Sequence, residues 1–147
     1  MSGHQQWEYT LCKEHKNYDW DFFHSSPHIV DGVAYIGTDK GLVYGIDVEN
    51  GEAVFKVQII DSAWSVRTTP EVYEDKIFFA GMNGVVYAYD LLTQELIWSY
   101  DTKKDITFTG WDNHIQNTLK VYNNHLYFGG KHCHVYSLNI EDGSLDW

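Results

Sequence analysis

Apolar and polar residues alternate along this chain in short runs that are separated by turn residues. Runs rich in Val, Ile, Tyr and Phe, such as VAYIG, KIFFAG and HLYFGG, each follow a short strand-like segment. Pairs such as Asp31-Gly32 and Asn123-Asn124 lie between them, and these residues favour tight hairpin turns. No helical stretch separates the runs. The pattern therefore predicts an all-β chain made of antiparallel hairpins.

The strand pattern occurs three times. A bulky aromatic residue closes successive units at Trp7, Phe55, Trp98 and Trp147, with spacings of 48, 43 and 49 residues. A period of about 40 to 50 residues is typical of four-stranded β-propeller blades. We therefore predict a single domain over residues 1–147, with blades at about 25–60, 67–102 and 116–147 and an extra outer strand at 7–12.

A second spacing is the same in all three units, because a small residue precedes each closing aromatic by ten residues. The pairs are Gly45 with Phe55, Ala88 with Trp98, and Ser137 with Trp147. In a hairpin of third and fourth strands, the small residue leaves room on the sheet face for the ring. We predict that these six residues have a structural docking role.

The repeat resembles that of the PQQ-like, or quinoprotein-type, β-propellers, whose motif runs Ala-x-Asp-x-x-Thr-Gly-x-x-x-Trp. In YAYDLLTQELIW, Ala88, Asp90, Thr93 and Trp98 match, and Gln94 stands where the family has Gly. The other units match at Gly45, Asp47, Gly51 and Phe55, and at Ser137, Asn139, Gly143 and Trp147. The resemblance covers nearly the whole chain and implies that Trp98, Trp147 and, in weakened form, Phe55 dock between neighbouring blades.

A WD40 propeller is the alternative family, since Trp20-Asp21 and Trp111-Asp112 are literal Trp-Asp pairs. They precede a first strand instead of ending a third strand, which favours the PQQ-like family.

Closed propellers have typically 4 to 8 blades, so three blades leave two apolar faces uncovered. Either the chain is a fragment of a longer propeller, or two copies close a six-bladed ring, with the N-terminal strand completing a blade of the other copy.

The connections between units carry the candidate ligand-binding residues. Each connection has one tryptophan shortly before the next first strand, and polar residues accompany it. The predicted set is Trp20, Asp21, His24, Trp64, Arg67, Trp111, Asp112 and His114, with Gln116 nearby. Aromatic rings with a few polar groups at a channel mouth are typical of a ligand site. The alternative is that each tryptophan fills space under its own connection.

Other candidate chemistry is sparse. His132 and His134 would share one face of an extended segment, but a structural zinc site needs about four ligands and no second pair accompanies them, so we predict no metal. Asp47, Asp90 and Asn139 precede turns, where their side chains accept backbone N–H bonds. The family's dehydrogenases hold PQQ with a vicinal disulfide and calcium; Cys12 and Cys133 are separate, and we predict no cofactor.

Charge excludes some partners. The formal net charge is −11, which disfavours nucleic acids and anionic membrane surfaces. No apolar run is long enough for membrane insertion, and the N-terminus has no signal-peptide core. The resemblance implies a non-enzymatic scaffold for protein–protein interaction, similar to the lipoprotein of the outer-membrane β-barrel assembly machinery, and a periplasmic or extracytoplasmic location. The alternatives are a ligand-binding or sensor propeller and a fragment of a PQQ-dependent dehydrogenase.

Overall fold

Three antiparallel sheets follow one another along the chain. The structure is a computed structural model that describes residues 3–10, 25–60, 64–104, 113–130 and 133–147. Sheet 1 has the order β1 (His28–Val30), β2 (Val33–Gly37), β3 (Leu42–Asp47), β4 (Ala53–Gln58). Sheet 2 has the order β5 (Glu71–Tyr73), β6 (Lys76–Ala80), β7 (Val85–Asp90), β8 (Leu96–Asp101). Sheet 3 consists of β9 (Lys120–Tyr122), β10 (His125–Gly129) and β11 (Val135–Asn139).

Sheet 3 has only the beginning of a fourth strand. Leu145 pairs with Leu138 of β11, and the Ser137 N–H donates to the Trp147 carbonyl over 2.9 Å. A 3₁₀ turn at Thr102–Lys104 follows β8.

The first hairpin of each sheet closes through residues with positive φ. Asp31 and Gly32 have φ of 49° and 78°, and Asn123 and Asn124 have φ of 47° and 59°. Two-residue turns of this kind match the twist of the flanking strands, and glycine, Asn and Asp reach that conformation at the least cost. The hairpin turns therefore lie at the residue pairs where the sequence pattern predicted them.

The sheets stack face to face, and an apolar core lies between each neighbouring pair. One core joins sheets 1 and 2 and includes Val43, Phe55 and Phe79; the other joins sheets 2 and 3 and includes Phe78 and Leu126. Phe78 and Phe79 are adjacent in sequence, yet both are 0% exposed. Successive side chains of a strand point to opposite faces, so sheet 2 is covered on both faces. This is why KIFFA reads as a continuous apolar run.

One polar side chain fastens the segment that enters each sheet to the end of its second strand. The Ser25 hydroxyl donates to the Gly37 carbonyl and accepts from the Gly37 N–H, both over 3.0 Å. Thr68 makes the same pair with Ala80, over 3.1 and 2.9 Å. In sheet 3 the Asn117 amide donates to Gly129, over 3.2 Å. The three positions share the 43- and 49-residue spacings of the repeat.

Candidate functional site: blade junctions and the connection mouth

A row of three residues crosses the second, third and fourth strands of each sheet, and its outer members are aromatic. In sheet 2, Phe78 pairs with Ala88, which pairs with Trp98, and the two rings meet at 5.9 Å above the alanine. In sheet 1, Tyr35 and Phe55 meet at 5.8 Å in a T-shaped contact. A ring contact of this kind adds to the area that the side chains bury.

The middle position of the row has room for a small side chain only. Gly45 lies between the two rings of sheet 1, and a β-carbon there would lie 2.8 Å from Tyr35 Cε1 and 2.9 Å from Phe55 Cβ. Ala88 and Ser137 hold the same register in the other sheets, and both are fully buried.

Trp98 reaches from sheet 2 onto sheet 3. Its indole N–H donates to the Ile140 carbonyl over 2.9 Å, and the side chain is nearly buried, with 7% of the residue exposed. The ring lies flat against the turn after β11, where a β-carbon on Gly143 would be 2.6 Å from Trp98 Cδ2. Gly143 has φ of 69°. Glycine at this position therefore serves both the backbone conformation and the approach of the ring.

Trp7 makes the same contact with sheet 1. Its indole N–H donates to the Val48 carbonyl over 2.8 Å, and a β-carbon on Gly51 would be 2.8 Å from Trp7 Cδ2. Tyr9 packs on Tyr44 of β3 with ring centroids 6.2 Å apart. Residues 7–9 thus occupy, on the free face of sheet 1, the position that Trp98 occupies on sheet 3.

The junction of sheets 1 and 2 is built differently. Phe55 has no N–H to donate, and Gln94 stands at the turn position that is glycine in the other two units, with φ of 59°. The Gln94 amide instead contacts the backbone of β4: Oε1 accepts from the Lys56 N–H over 3.2 Å, and Nε2 donates to the Val54 carbonyl over 3.5 Å. The polar link between these sheets therefore comes from the turn and not from the ring.

Trp147 has no sheet to dock on among the described residues. Its ring meets Tyr127 at 6.1 Å, but 59% of the residue is exposed. Tyr122 and Val135 on the same face of sheet 3 are 68% and 60% exposed. Their counterparts on sheet 2 by the repeat spacing are Tyr73, Val86 and Trp98, and these all pack in the core with sheet 3. The free face of sheet 3 has the composition of a blade junction without a neighbour.

Three of the predicted mouth residues lie in the described part of the chain. The rings of Trp64 and His114, from different connections, meet edge to face at 5.7 Å. The Arg67 Nε donates to Asp39 Oδ1 over 3.0 Å, which fastens the second connection to the β2–β3 turn. Gln116 Nε2 lies 3.2 Å from the Met82 sulfur. The remaining members, Trp20, Asp21, His24, Trp111 and Asp112, lie outside the described residues.

The first residues of the three inner strands form a charged chain across both junctions. Glu71 is buried, and its Oε2 accepts from Lys120 Nζ over 2.7 Å. Its Oε1 accepts from the Val121 N–H over 3.4 Å. His28 Nδ1 lies 3.6 Å from Glu71 Oε2 and 2.9 Å from the Pro70 carbonyl. A carbonyl only accepts, so this Nδ1 carries the hydrogen. The Glu71 side chain is 9% exposed, whereas that of Lys120 is 65% exposed, so the charged chain ties the inner strands together through an ion pair that solvent screens on the lysine side.

Asp47, Asp90 and Asn139 stabilise turns, as predicted. Asp47 Oδ1 accepts from the Glu49 N–H over 2.8 Å, and Asn139 Oδ1 accepts from the Glu141 N–H over 2.8 Å. Asp90 Oδ1 accepts from the N–H groups of Leu92 and Thr93, over 2.9 and 2.7 Å. The bond from Thr93 is the main reason that the pKa of Asp90 is lowered.

Few side chains in the described ranges are placed to bind a metal ion or a cofactor. His132 lies outside the described residues, Cys133 is exposed, and His134 Nδ1 is buried with no hydrogen-bond partner in the described ranges. No group of three or more His, Cys, Asp or Glu side chains in the described ranges is arranged to hold a metal ion. Neither cysteine has a cysteine neighbour in sequence, so the vicinal disulfide of the quinoprotein dehydrogenases does not fit this chain. The described part also contains no helix long and apolar enough to cross a membrane.

Sequence reasoning missed two parts of the junctions. The second-strand aromatics Tyr35, Phe78 and Tyr127 follow the same 43- and 49-residue spacings as the closing aromatics, so a search of every repeat position would have found them. The docking of Trp7 and Trp98 onto Gly51 and Gly143 had a signal too, because glycine occurs at that turn only in the units that receive a tryptophan.

Comparisons with known proteins agree on the architecture. The family described as "Outer membrane protein assembly factor BamB" matches residues 1–147. The outer membrane protein assembly factor BamB of Escherichia coli (strain K12) is 27% identical over 131 residues, which cover 84% of this chain and 31% of the relative. This chain thus spans about a third of that relative's length.

Solved structures give the same answer. BamB from Moraxella catarrhalis aligns with a TM-score of 0.66 at 16% identity, over 84% of this chain and 35% of that chain. The quinohemoprotein alcohol dehydrogenase from Comamonas testosteroni aligns with a TM-score of 0.74 at 16% identity, over 86% of this chain and 20% of that chain. The three sheets are therefore β-propeller blades, and the predicted all-β fold and PQQ-like repeat are confirmed.

Proposed function

Because this chain belongs to the family of the outer membrane protein assembly factor BamB, we propose that it is a non-enzymatic propeller scaffold for protein–protein interaction. The name of the family supports a role in protein assembly, and it supports an extracytoplasmic location. The relatives are about three times as long as this chain, so the proposal concerns the surfaces that these three blades contribute.

The observation that supports the proposal most directly is the free face of sheet 3. It exposes Tyr122, Val135 and Trp147, which match residues that sheet 2 buries against its neighbour. Large exposed apolar side chains on a face that a neighbouring blade would cover are typical of an interaction site. The partner surface would be a second sheet face whose turn receives an indole ring, as the turn with Gly143 receives Trp98, and the ring can come from Trp147 or from a segment that replaces it.

A second copy of the chain is the partner we propose for this face. In a head-to-tail ring, sheet 3 of one copy faces sheet 1 of the other, where Trp7 already occupies the Val48 carbonyl and Gly51. Trp7 and the second copy's Trp147 therefore compete for one position. We propose that Trp7 stays, because the backbone of residues 7–10 has no strand partner among the described residues. That segment then pairs with β11 of the other copy in place of residues 145–147.

Light scattering over a range of concentrations tests this arrangement. The dimer has twice the 17.1 kDa mass of the chain. Trp7→Ala should shift the equilibrium strongly toward monomer, because it removes the residue that anchors the exchanged strand. Trp147→Ala should leave the dimer intact or strengthen it. A dimer that Trp147→Ala abolishes and Trp7→Ala spares would show that Trp147 docks instead, and a monomer at every concentration would leave the face to another protein.

A ligand-binding propeller is the second candidate. The contact of Trp64 with His114 supports it, because two connections place aromatic rings together at one end of the blades. The dye 1-anilinonaphthalene-8-sulfonate would serve as a planar probe. Trp64→Ala should lower its binding while leaving dimerisation unchanged, and Val54→Ala, which changes an exposed apolar residue on the outer strand of sheet 1, is the control and should bind the dye as the wild type does. Equal dye binding by the Trp64→Ala protein would argue against this candidate.

A fragment of a PQQ-dependent dehydrogenase is the third candidate, favoured by the fold of the Comamonas enzyme. Only this candidate predicts that PQQ added with calcium raises the melting temperature, since a ligand that binds the folded state stabilises it. An unchanged melting temperature at saturating PQQ and calcium is the result expected of a scaffold.

A further inference from the structure

The outer strands of sheets 1 and 2 hold equivalent positions in the repeat but differ at their free backbone edge. An edge strand presents N–H and C=O groups that can pair with another chain, and proteins protect such edges with charges or covering groups. In β4 the outward groups are the Lys56 N–H and the Val54 carbonyl, and the Gln94 amide contacts both. This amide presents one acceptor and one donor, as the backbone of a neighbouring strand would.

The edge of β8 has no such cover. The counterparts of Lys56 and Val54 by the 43-residue spacing are Ser99 and Ile97. No hydrogen bond from the described ranges reaches the Ser99 N–H or the Ile97 carbonyl. The turn of sheet 3 that faces this edge carries Gly143 in place of Gln94, and the ring of Trp98 fills the space beside it. A glycine has no side chain with which to cover the edge.

The side chains around β8 also differ from those around β4. Both strands expose an apolar residue at the same position, Val54 in β4 and Ile97 in β8, but Lys56 of β4 is replaced by Ser99 in β8. The apolar surface is larger at β8, because Leu96 and Leu92 of the preceding turn are exposed as well. Lys103 and Lys104 lie at the other end of β8 and are exposed. No carboxylate among the described side chains forms a salt bridge with either lysine. Asp101, the last residue of β8, accepts from the Lys103 N–H over 3.0 Å, so the edge is apolar at one end and carries two lysines and one carboxylate at the other.

We propose that the edge of β8 binds an extended segment of a partner protein by strand addition. The segment pairs with the Ser99 N–H and Ile97 carbonyl, places apolar side chains near Leu92 and Ile97, and places carboxylates near Lys103 and Lys104. Strand addition derives affinity from backbone bonds and specificity from alternate side chains. This inference rests on the proposed scaffold function, but it concerns a different surface from the free face of sheet 3.

Fluorescence anisotropy of two labelled peptides tests the proposal. Both alternate Val and Thr over six residues, and a pair of aspartates stands at the N-terminus of one and at the C-terminus of the other, since β8 can take a strand in either direction. One of the two should bind the wild-type chain. Ser99→Pro removes the outward N–H and fixes φ near about −65°, which an edge strand tolerates, and should weaken binding by about 10-fold. Lys56→Pro makes the same change on the covered edge and should leave peptide binding unchanged.

A transplant sharpens the test. Trp98→Phe with Gly143→Gln copies the Phe55 and Gln94 arrangement onto β8 and should abolish peptide binding, while Trp98→Phe alone should retain it. Binding by neither peptide, or equal binding to the Ser99→Pro and wild-type chains, would overturn the proposal. A dimer that Ser99→Pro dissociates would assign the edge to a second copy and also overturn it. None of these results depends on Trp7 or Trp147, so the dimer of sheet 3 is tested separately.

Discussion

The two blade junctions use different residues at the same two positions. Between sheets 2 and 3, Trp98 donates to the Ile140 carbonyl and lies on Gly143. Between sheets 1 and 2, Phe55 is buried without a hydrogen bond, and Gln94 contacts the strand instead. The ring and the turn residue therefore change together: glycine occurs at the turn where the ring is a tryptophan, and Gln94 occurs there where the ring is Phe55.

The reason for this pairing is steric. A β-carbon at Gly143 or Gly51 would lie 2.6 or 2.8 Å from the indole that covers it, well inside van der Waals contact. Phe55 holds the position of Trp98 in the repeat, and we infer that its smaller ring fits beside a turn residue that carries a β-carbon, as Gln94 does. The turn residue and the ring therefore act as one unit of the junction.

The largest effect is expected from Trp98→Ala. The change removes a nearly buried ring and leaves the Ile140 carbonyl without its donor. Large-to-small changes of this kind cost about 3–5 kcal/mol of the free energy of unfolding. Urea denaturation followed by circular dichroism measures the loss. Trp147→Ala is the matched control, because that ring is largely exposed, and a similar cost for both would mean that docking contributes little.

Gly143→Ala should have the next largest effect. The new β-carbon meets Trp98 at 2.6 Å, and the residue has φ of 69°, so overpacking and backbone strain add to about 2–3 kcal/mol. Gly32→Ala separates the two causes, since Gly32 has φ of 78° with no atom near its β-carbon position. Equal melting temperatures for the two variants would contradict the role given to the ring.

A smaller effect is expected when the second junction is converted to the first. Phe55→Trp should destabilise the chain by about 1 kcal/mol, because the indole meets the β-carbon of Gln94. Adding Gln94→Gly should restore stability, and the double-mutant cycle should give a coupling energy of about 1 kcal/mol. Additive single changes, measured by the same urea titrations, would show that ring and turn residue are independent.

The smallest effect is a pH dependence at the turn after β7. The pKa of Asp90 is lowered in the folded chain by N–H donors, so its stabilisation is present above the unfolded pKa of about 4 and is lost as the pH falls through the folded value. Asp90→Asn keeps the acceptor, as Asn139 does in sheet 3. Its free energy of unfolding should therefore fall less between pH 5 and pH 3 than that of the wild type. Parallel pH profiles would contradict this.

The sequence was most informative where a position repeats. The ten-residue spacing predicted that Ala88 and Trp98 are cross-strand neighbours, and the strand register has that pair. Sequence spacing does not indicate which part of the next blade a ring contacts, so the docking of Trp98 onto Gly143 could be seen only in the structure. The contact of the Gln94 amide with β4 could not be predicted either, because a single residue that departs from the repeat does not indicate what its side chain contacts.

The mouth was harder to predict than the junctions. Trp20, Trp64 and Trp111 precede their first strands by different numbers of residues, so they do not hold one position of the repeat. The charged chain from His28 through Glu71 to Lys120 does hold one position, yet its members differ in charge and size. A search for similar residues at each repeat position does not find this charged chain, because residues that form ion pairs differ from one another in type.

Each docking ring belongs to one blade through its backbone and to the next through its side chain, which sets the natural limits of a module. A segment that starts at an aromatic, such as 7–54 or 98–146, contains both the ring and the carbonyl and glycine that receive it. A segment that begins and ends at the edges of one sheet contains the ring of one docking contact and the receiving turn of another, so neither contact is complete. Duplication or recombination of such a gene would therefore transfer a complete fastening only when its boundaries fall just before the tryptophan, out of phase with the visible sheets.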